Sequence, residues 1–170
     1  WGYINCANEL KEDFKSAGIS PGAIVSATGS GGTLAGLIIG NALYELNTKV
    51  IAFNVCDDEA YFKRKISKDF VLWKDRYGSG LDIDRMPINV VDGYVGPGYG
   101  RATPEVFETI REVARLEGIV LDPVYTGKAF NALLQETKSG KFAGLSDIVF
   151  IHTGGMLGLF PQKQQLFGTG

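Results

Sequence analysis

The sequence contains little of what a metal site or a disulfide framework needs. Its 170 residues include two cysteines, Cys6 and Cys56, and a single histidine, His152. Zinc sites and disulfide scaffolds take several cysteine or histidine residues at short spacing, so we predict neither a metal centre nor a disulfide framework. We interpret both cysteines as core or half-buried thiols and His152 as a structural histidine.

The chain also lacks a strong charge of either sign and a long hydrophobic run. Its formal net charge is −2 at pH 7, which provides no basic surface for a nucleic-acid backbone. No apolar segment approaches the roughly 20 residues that cross a membrane, and no signal peptide is visible. We therefore expect no nucleic-acid or membrane partner and a soluble, cytoplasmic protein.

What the chain does contain is a regular alternation of strand and helix patterns. Hydrophobic residues make up 45% of it, enough for the core of one domain. Buried strands that alternate with helices of ten or more residues indicate an α/β fold, with an open, mainly parallel sheet in a three-layer αβα arrangement. The chain begins at Trp1 inside a helical pattern, so we expect an incomplete fold, part of a longer protein. The predicted strands are 23–27, 50–55, 88–91 and 147–152, and the predicted helices are a first one ending at Gly18, then 32–46, 57–77, 103–117 and 126–140.

The segment SATGSGGTLAGL, residues 26–37, lies between a predicted strand and a predicted helix. Glycines let backbone N–H groups turn inward, and the start of a helix carries a partial positive charge, so the segment suits a phosphate. It has no P-loop lysine, and Leu34 stands where a dinucleotide motif has its third glycine. These features favour a monophosphate cofactor, with a plain strand-to-helix turn as the alternative. The acidic residues 57–59 are interpreted as a helix N-cap rather than a ribose ligand.

Three further segments follow predicted strands or precede helices. In a parallel sheet, ligands collect at the carboxyl ends of the strands. The segment GYVGPGYG, residues 93–100, is predicted to close over a ligand with Tyr94 or Tyr99 pointing inward, the alternative being a surface loop. Thr126 is either a helix N-cap or a ligand residue. The segment HTGG, residues 152–155, ends a buried strand where backbone is expected to pass close to a ligand.

Four motifs, in their order and spacing, resemble a known enzyme family. SATGSGGTLAGL, DGYVGPGYG, RLEGIVLDPVYTGKA and IHTGGMLGLF are similar to the C-terminal half of the D-cysteine desulfhydrase and 1-aminocyclopropane-1-carboxylate deaminase family. These are pyridoxal-phosphate enzymes with the tryptophan-synthase-β fold, also called fold type II. The resemblance implies that residues 1–170 are the C-terminal part of such an enzyme, mostly its large cofactor-binding domain. The family's Schiff-base lysine would lie N-terminal to this chain, and Lys128 matches a family lysine without that role.

The same resemblance implies roles for individual residues. Tyr99 and Tyr125 would be catalytic residues beside the substrate. Thr153 would face the pyridine nitrogen of the cofactor, with Thr126 beside it. The residues implied to bind pyridoxal 5'-phosphate are Thr28, Gly29, Ser30, Gly31, Gly32, Thr33, Thr126, Thr153 and Gly154.

The two threonines indicate which of the family's reactions to expect. Members that open the cyclopropane ring resemble this chain but have glutamate and leucine in place of Thr126 and Thr153, whereas desulfhydrases have threonine at both positions. A neutral hydroxyl does not keep the pyridine nitrogen protonated as a carboxylate does, so the cofactor is a weaker electron sink. A weaker sink suits elimination of a good leaving group such as a thiol.

The expected activity is therefore that of a lyase acting on a D-amino acid, converting D-cysteine to pyruvate, sulfide and ammonia. The alternative within the family is 1-aminocyclopropane-1-carboxylate deaminase, a hydrolase. The alternative from another class is a noncatalytic phosphate- or nucleotide-binding domain. The expected partners are a small amino-acid substrate, a second copy of the protein in a homodimer, and the N-terminal part of the same protein.

Overall fold

The strand and helix order expected from the sequence is present in the structure. A computed structural model describes residues 1–78 and 80–167. β4 is shorter than the predicted strand 147–152, because it pairs with its neighbour only over Ile148–Phe150. Short 3-10 helices at Ile83–Arg85 and Met156–Gln162 and the last helix were not expected. The elements are α1 (Gly2–Ala17), β1 (Ala23–Thr28), α2 (Gly32–Leu43), β2 (Lys49–Asn54), α3 (Glu59–Tyr77), β3 (Asn89–Val91), α4 (Pro104–Glu117), α5 (Thr126–Lys138), β4 (Ile148–Phe150) and α6 (Lys163–Phe167).

Local sequence signals explain where several helices begin and end. α1 ends at Gly18 and α4 at Gly118, both in the left-handed conformation that glycine adopts without a steric penalty. α4 starts with Pro104, whose missing N–H costs nothing in the first turn. Asp58 precedes α3, and its carboxylate accepts a hydrogen bond of 2.6 Å from the Tyr61 N–H. The N-cap interpretation of this acidic cluster is therefore confirmed.

The four strands form one parallel sheet in the order β3-β2-β1-β4. The chain adds β2 and β3 on one side of β1, then returns to place β4 on the other side. Val25 in β1 is paired with Ile51 of β2 and with Phe150 of β4. The direction of strand addition thus reverses between β1 and β4. In sheets of this kind the ligand crevice opens at that reversal, beyond the carboxyl ends of the strands.

A layer of helices covers the apolar side chains on each face of the sheet, which confirms the three-layer αβα arrangement. α1, α2 and α3 cover one face, and α5 covers the other with α4 packed against it. No helix within the described ranges is both long enough and apolar enough to span a membrane. The sheet residues of the first face include Ile24, Val50, Ala52 and Val90, and those of the second include Val25, Ala27, Ile51 and Phe53.

α1 and α2 approach each other closely at glycine residues of α2. A Cβ atom placed on Gly40 would lie 2.5 Å from the Ala7 Cβ and 2.9 Å from the Ile4 carbonyl oxygen. Gly36 faces Tyr3 in the same way, at 2.8 Å from the Tyr3 Cβ. The two small positions allow the helix backbones to pack directly against each other and fix where α2 starts relative to the sheet.

Candidate active site

A cavity of about 480 Å³ opens at the carboxyl ends of β1 and β4, where the strand order reverses. The loops after β1, β2 and β4 form its walls, together with two tyrosines from more distant segments. Cys56 follows a predicted strand, where the strand-end rule expects ligand residues, although the sequence predicts only a core or half-buried thiol at this position. The lining residues are Ala27, Gly29, Ser30, Thr33, Cys56, Tyr99, Tyr125, Thr153, Gly154 and Gly155.

The structure thus brings together most of the residues singled out in the sequence. Gly29, Ser30, Thr33, Tyr99, Tyr125, Thr153 and Gly154 share the lining. Over residues 1–78 and 80–167, the lining does not include Thr28, Gly31, Gly32 or Thr126. Their assignment to cofactor binding stays a prediction.

The phosphate loop, residues 29–32, connects β1 to the start of α2. Gly31 adopts φ 84° and ψ −20°, and its carbonyl oxygen accepts the bond from the Ala35 N–H that opens the helix. In the described part of the chain, no side chain caps this helix and its first turn contains no acidic residue. The first backbone N–H groups and the positive end of the helix dipole are therefore left for an anion.

Two buried hydroxyl groups of β1 lack a hydrogen-bond partner among the described residues. They belong to Ser26 and Thr28, which are almost fully buried. Buried hydroxyls without a partner are uncommon in folded proteins and call for a ligand or water. Thr28 immediately precedes the loop in the chain, although its buried hydroxyl is not part of the cavity lining formed by the described residues. These features together fit the phosphate group of a cofactor.

Tyr99 and Tyr125 form a pair in the cavity wall, and the Tyr125 ring lies directly against Gly29 of the phosphate loop. Their hydroxyl groups are hydrogen-bonded to each other, and their rings meet edge to face with centroids 5.9 Å apart. The hydrogen bond with Tyr99, followed by burial, raises the pKa of Tyr125 to about 12. Tyr125 is therefore a neutral phenol near pH 7 that can donate a hydrogen bond but holds its proton more tightly than an ordinary tyrosine.

Tyr125 is held from below by the buried carboxylate of Asp122. One carboxylate oxygen accepts hydrogen bonds from the N–H groups of Val124 at 2.7 Å and Tyr125 at 2.9 Å. The other accepts from the N–H of Thr126 at 2.7 Å and from its hydroxyl at 2.8 Å. These four bonds fix the backbone that carries Tyr125 at the start of α5.

The same bonds determine what the Thr126 hydroxyl does. Thr126 is completely buried, and its hydroxyl donates its proton to Asp122 while accepting from the Asp122 N–H at 2.9 Å. The proton is therefore committed to Asp122. The sequence predicted Thr126 beside Thr153 at the cofactor ring, whereas the structure gives only Thr153 to the cavity lining formed by the described residues.

Cys56 links the second strand to the phosphate loop. Its thiol donates a hydrogen bond of 3.4 Å to the carbonyl oxygen of Gly29. Burial, followed by the hydrogen bond with Asp57, raises the pKa of Cys56 to about 11. The thiol is thus protonated near neutral pH and orients the Gly29 carbonyl instead of offering a thiolate nucleophile.

His152 holds the turn after β4 rather than pointing its donor into the cavity. Its Nε2 donates to the Val120 carbonyl oxygen at 3.0 Å, and its Nδ1 accepts from the Gly154 N–H at 3.0 Å. This is the structural role that the sequence predicts for His152. Within the ranges the structure covers, no group of three or more potential metal ligands comes together.

Comparisons with known proteins identify the family of the chain. Residues 1–154 match the family of pyridoxal-phosphate dependent enzymes. The chain is 41% identical over 170 residues to the mitochondrial bifunctional D-cysteine desulfhydrase/1-aminocyclopropane-1-carboxylate deaminase of Arabidopsis thaliana, covering 98% of this chain and 41% of that protein. It is 36% identical over 168 residues to a D-cysteine desulfhydrase of Yersinia enterocolitica, covering 97% of this chain and 49% of that protein.

A solved structure gives the same result for the fold. The crystal structure of an ACC deaminase homologue superimposes with a TM-score of 0.85 at 33% identity, covering 97% of this chain and 48% of that one. The chain therefore spans about half the length of the relatives it matches. The family match, the three-layer fold and the phosphate-compatible cavity lead to one conclusion: the chain belongs to the family of pyridoxal-phosphate dependent enzymes.

Proposed function

We propose that the protein containing this chain is a pyridoxal-phosphate-dependent D-cysteine desulfhydrase. The reaction converts D-cysteine and water to pyruvate, hydrogen sulfide and ammonia. The observation that carries the proposal is Thr153, whose neutral side chain lines the same cavity as the phosphate loop, at a position where the resemblance implies leucine in ring-opening members. The relative from Yersinia enterocolitica, a D-cysteine desulfhydrase, supports the same choice.

The residues of the cavity suit the parts of the cofactor. The phosphate loop and the start of α2 would offer N–H groups to the phosphate, and the buried Thr28 hydroxyl at the end of β1 lacks a partner among the described residues. Thr153 offers a neutral hydroxyl to the ring nitrogen. When bound, pyridoxal phosphate supplies the electron sink that stabilises negative charge at the substrate's α-carbon.

The tyrosine pair serves the substrate. Tyr125 holds its proton at the phenolic oxygen because of its raised pKa, and Tyr99 orients that oxygen through the shared hydrogen bond. A neutral phenol beside the substrate can donate a hydrogen bond to the departing sulfur, whereas its raised pKa disfavours full transfer of the proton. The Cys56 thiol, also protonated, leaves the chemistry to other groups.

A second candidate is 1-aminocyclopropane-1-carboxylate deaminase, because the Arabidopsis thaliana relative has both activities in its name. The test compares pyruvate release from D-cysteine with 2-oxobutyrate release from the cyclopropane acid in the full-length protein. We expect D-cysteine to be the better substrate of the wild type and Thr153→Leu to lose most of that activity. A wild type that prefers the cyclopropane acid would overturn the proposal.

The structure also guides the choice of variants. Thr126→Glu, the other change toward the ring-opening pattern, places a second carboxylate against Asp122 and breaks its bonds, so its effect on activity would mix with a loss of stability. Thr153→Leu alone avoids that problem. Thr137→Leu, at an exposed position of α5, is the matched control and should leave both activities unchanged.

The remaining expectations are also proposals. We propose that this chain is mostly the large cofactor-binding domain and that an N-terminal part of the same protein supplies the cofactor's lysine. We propose further that the protein is a cytoplasmic homodimer. Reduction with borohydride should then place a pyridoxyl group on a lysine outside residues 1–170, and an adduct on Lys128 would contradict this. Bound pyridoxal phosphate absorbs in the near ultraviolet and visible range, which distinguishes the enzyme from a nucleotide-binding domain. Size-exclusion chromatography and cell fractionation test the dimer and the location.

A further inference from the structure

Lys128 is a buried lysine that the proposed reaction does not use. It belongs to the first part of α5 and is only 2% exposed. Its ammonium group donates hydrogen bonds to the carbonyl oxygens of Val95 at 2.6 Å and Gly98 at 2.8 Å. A buried charge needs partners of this kind, and here two backbone carbonyls provide them.

Both acceptors belong to the tyrosine loop, residues 93–100, which has little regular structure of its own. Glycines sample many conformations when unfolded, so fixing a glycine-rich loop in one conformation is entropically unfavourable. Contacts from outside the loop must compensate for that cost. Four glycines of the loop adopt positive φ angles: Gly93 at 97°, Gly96 at 70°, Gly98 at 137° and Gly100 at 73°.

Other contacts hold the beginning of the tyrosine loop. Asp92, just before it, accepts hydrogen bonds from the Asn54 side chain at 3.1 Å and the Glu59 N–H at 3.2 Å. Tyr94 donates to Glu136 of α5 at 2.7 Å. Lys128 holds the second part, because Val95 and Gly98 stand on either side of its bend and Gly98 immediately precedes the next tyrosine.

We propose that Lys128 is a positioning residue whose ammonium acts as a built-in cation, drawing together the Val95 and Gly98 carbonyls so that Tyr99 is held against Tyr125. The part of the proposal that concerns the position of the loop rests only on these contacts. Only the consequence for catalysis rests on the proposed function, since that function places the tyrosine pair beside the substrate.

The chemistry of lysine suits this task. An ammonium is a compact charge with three donors on a flexible stem, so it can bond two carbonyls that approach from different directions. Burial lowers the pKa of Lys128, while Cys56 and the Asp122 carboxylate oppose that shift. A second cavity of about 170 Å³ adjoins Lys128 and the tyrosine loop, lined among others by Gly96 and Thr103, which gives a small cation access to the place of a shortened side chain.

Limited proteolysis of the full-length holoenzyme measures the loop directly. Tyr99 is 58% exposed and followed by Gly100, so chymotrypsin cleavage after it reports how often the loop opens. Lys128→Met keeps most of the side chain's apolar volume and removes the donors. We expect cleavage after Tyr99 to be about tenfold faster, because loss of the charge-assisted hydrogen bonds should raise the population of the open loop by about that factor. Lys138→Met, at an exposed position of the same helix, is the control and should leave the rate unchanged.

A chemical rescue separates the missing cation from a packing defect. Lys128→Ala lacks three carbons and the ammonium, which n-propylammonium replaces atom for atom. We expect n-propylammonium to restore slow cleavage in this variant, and tetramethylammonium, which has no N–H donor, to leave it fast. If Lys128→Met does not fold, Lys128→Ala is refolded in the presence of each ion instead. Refolding with n-propylammonium alone then supports the proposal.

The outcomes divide clearly. Faster cleavage after Tyr99 together with rescue by n-propylammonium alone supports the proposal. Unchanged cleavage in Lys128→Met, equal effects of the two ions, or refolding in neither would overturn it. Proteolysis needs no turnover, so a wild type that fails to release pyruvate from D-cysteine would contradict the proposed function and leave this result intact. In an active enzyme, the kcat of Lys128→Ala should fall because the tyrosine loop opens more often, and n-propylammonium should restore it.

Discussion

The phosphate loop contains two adjacent glycines for which alanine should have opposite effects. Gly31 adopts φ 84° and ψ −20°, in the left-handed region, whereas Gly32 begins α2 with no unusual φ. A Cβ on Gly31 would lie 3.3 Å from the Ile66 Cγ1, and one on Gly32 would meet only the Ser30 hydroxyl, at 4.0 Å. The pair Gly31→Ala and Gly32→Ala therefore compares backbone strain with helix propensity at neighbouring positions.

The expected magnitudes follow from these angles and contacts. A left-handed alanine costs about 1–2 kcal/mol, and the tight approach to Ile66 adds to that cost. The less flexible unfolded chain offsets about 0.4–1 kcal/mol, so Gly31→Ala should lower the free energy of unfolding by about 1 kcal/mol. Gly32→Ala has the favourable term without the strain and should raise it by roughly 0.5–1 kcal/mol. The two variants should differ by about 1.5–2 kcal/mol.

Denaturant unfolding of both variants measures this difference, and absorbance titration with pyridoxal phosphate gives a second readout. Gly31→Ala should also weaken cofactor binding, because relieving its strain redirects the N–H groups at the start of α2. Gly32→Ala leaves the backbone conformation of the loop unchanged, so a loss of cofactor binding in this variant would come from the added Cβ itself. Equal unfolding free energies, or a Gly31→Ala variant more stable than Gly32→Ala, would refute the assignment of strain to Gly31.

Two further predictions concern the supports of the cavity. Gly40→Ala should destabilise the fold by about 1–2 kcal/mol despite better helix propensity, because the new Cβ meets the Ile4 backbone and Ala7. Gly2→Ala, where the added Cβ meets nothing within 4 Å, is its control, and equal unfolding midpoints would contradict the close contact. Asp122→Asn turns an N–H donor toward N–H groups and should cost roughly 2–3 kcal/mol of unfolding free energy, with Tyr125 displaced. An unchanged melting curve would contradict that role of Asp122.

Much of the fold was predictable because its signals are local. Apolar runs bounded by glycine and proline mark strands that are buried on both faces, and Pro104 and Gly118 mark both ends of α4. The place of β4 beside β1 was not predictable from these signals. That pairing brings together Ala23–Val25 and Ile148–Phe150, which local patterns do not connect, and it determines where the cavity opens.

The site was predictable in its outline and not in its supports. Glycines and hydroxyls after strands pointed to the cavity and to Tyr94 or Tyr99, and the resemblance implied roles for Tyr99, Tyr125 and Thr153. The orientation of the Thr126 hydroxyl was beyond sequence reasoning, because a helix N-terminal threonine bonds either to its own backbone neighbours or outward to a ligand. Here the Thr126 hydroxyl donates its hydrogen bond to Asp122, four residues earlier.

One short segment, residues 122–128, controls both tyrosines from outside the cavity. Asp122 at its start fixes the backbone of Tyr125, and Lys128 at its end bonds the loop that carries Tyr99. The two supports have opposite charge and different partners, and the hydrogen bond between the two phenols couples the tyrosines, so a change at one support reaches both. A substitution at Thr126 acts first on Asp122 and therefore on Tyr125. An effect of a Thr126 substitution on the choice of reaction must therefore be separated from its effect on the position of Tyr125. Of the substitutions considered at the two threonines, only Thr153→Leu avoids this second effect.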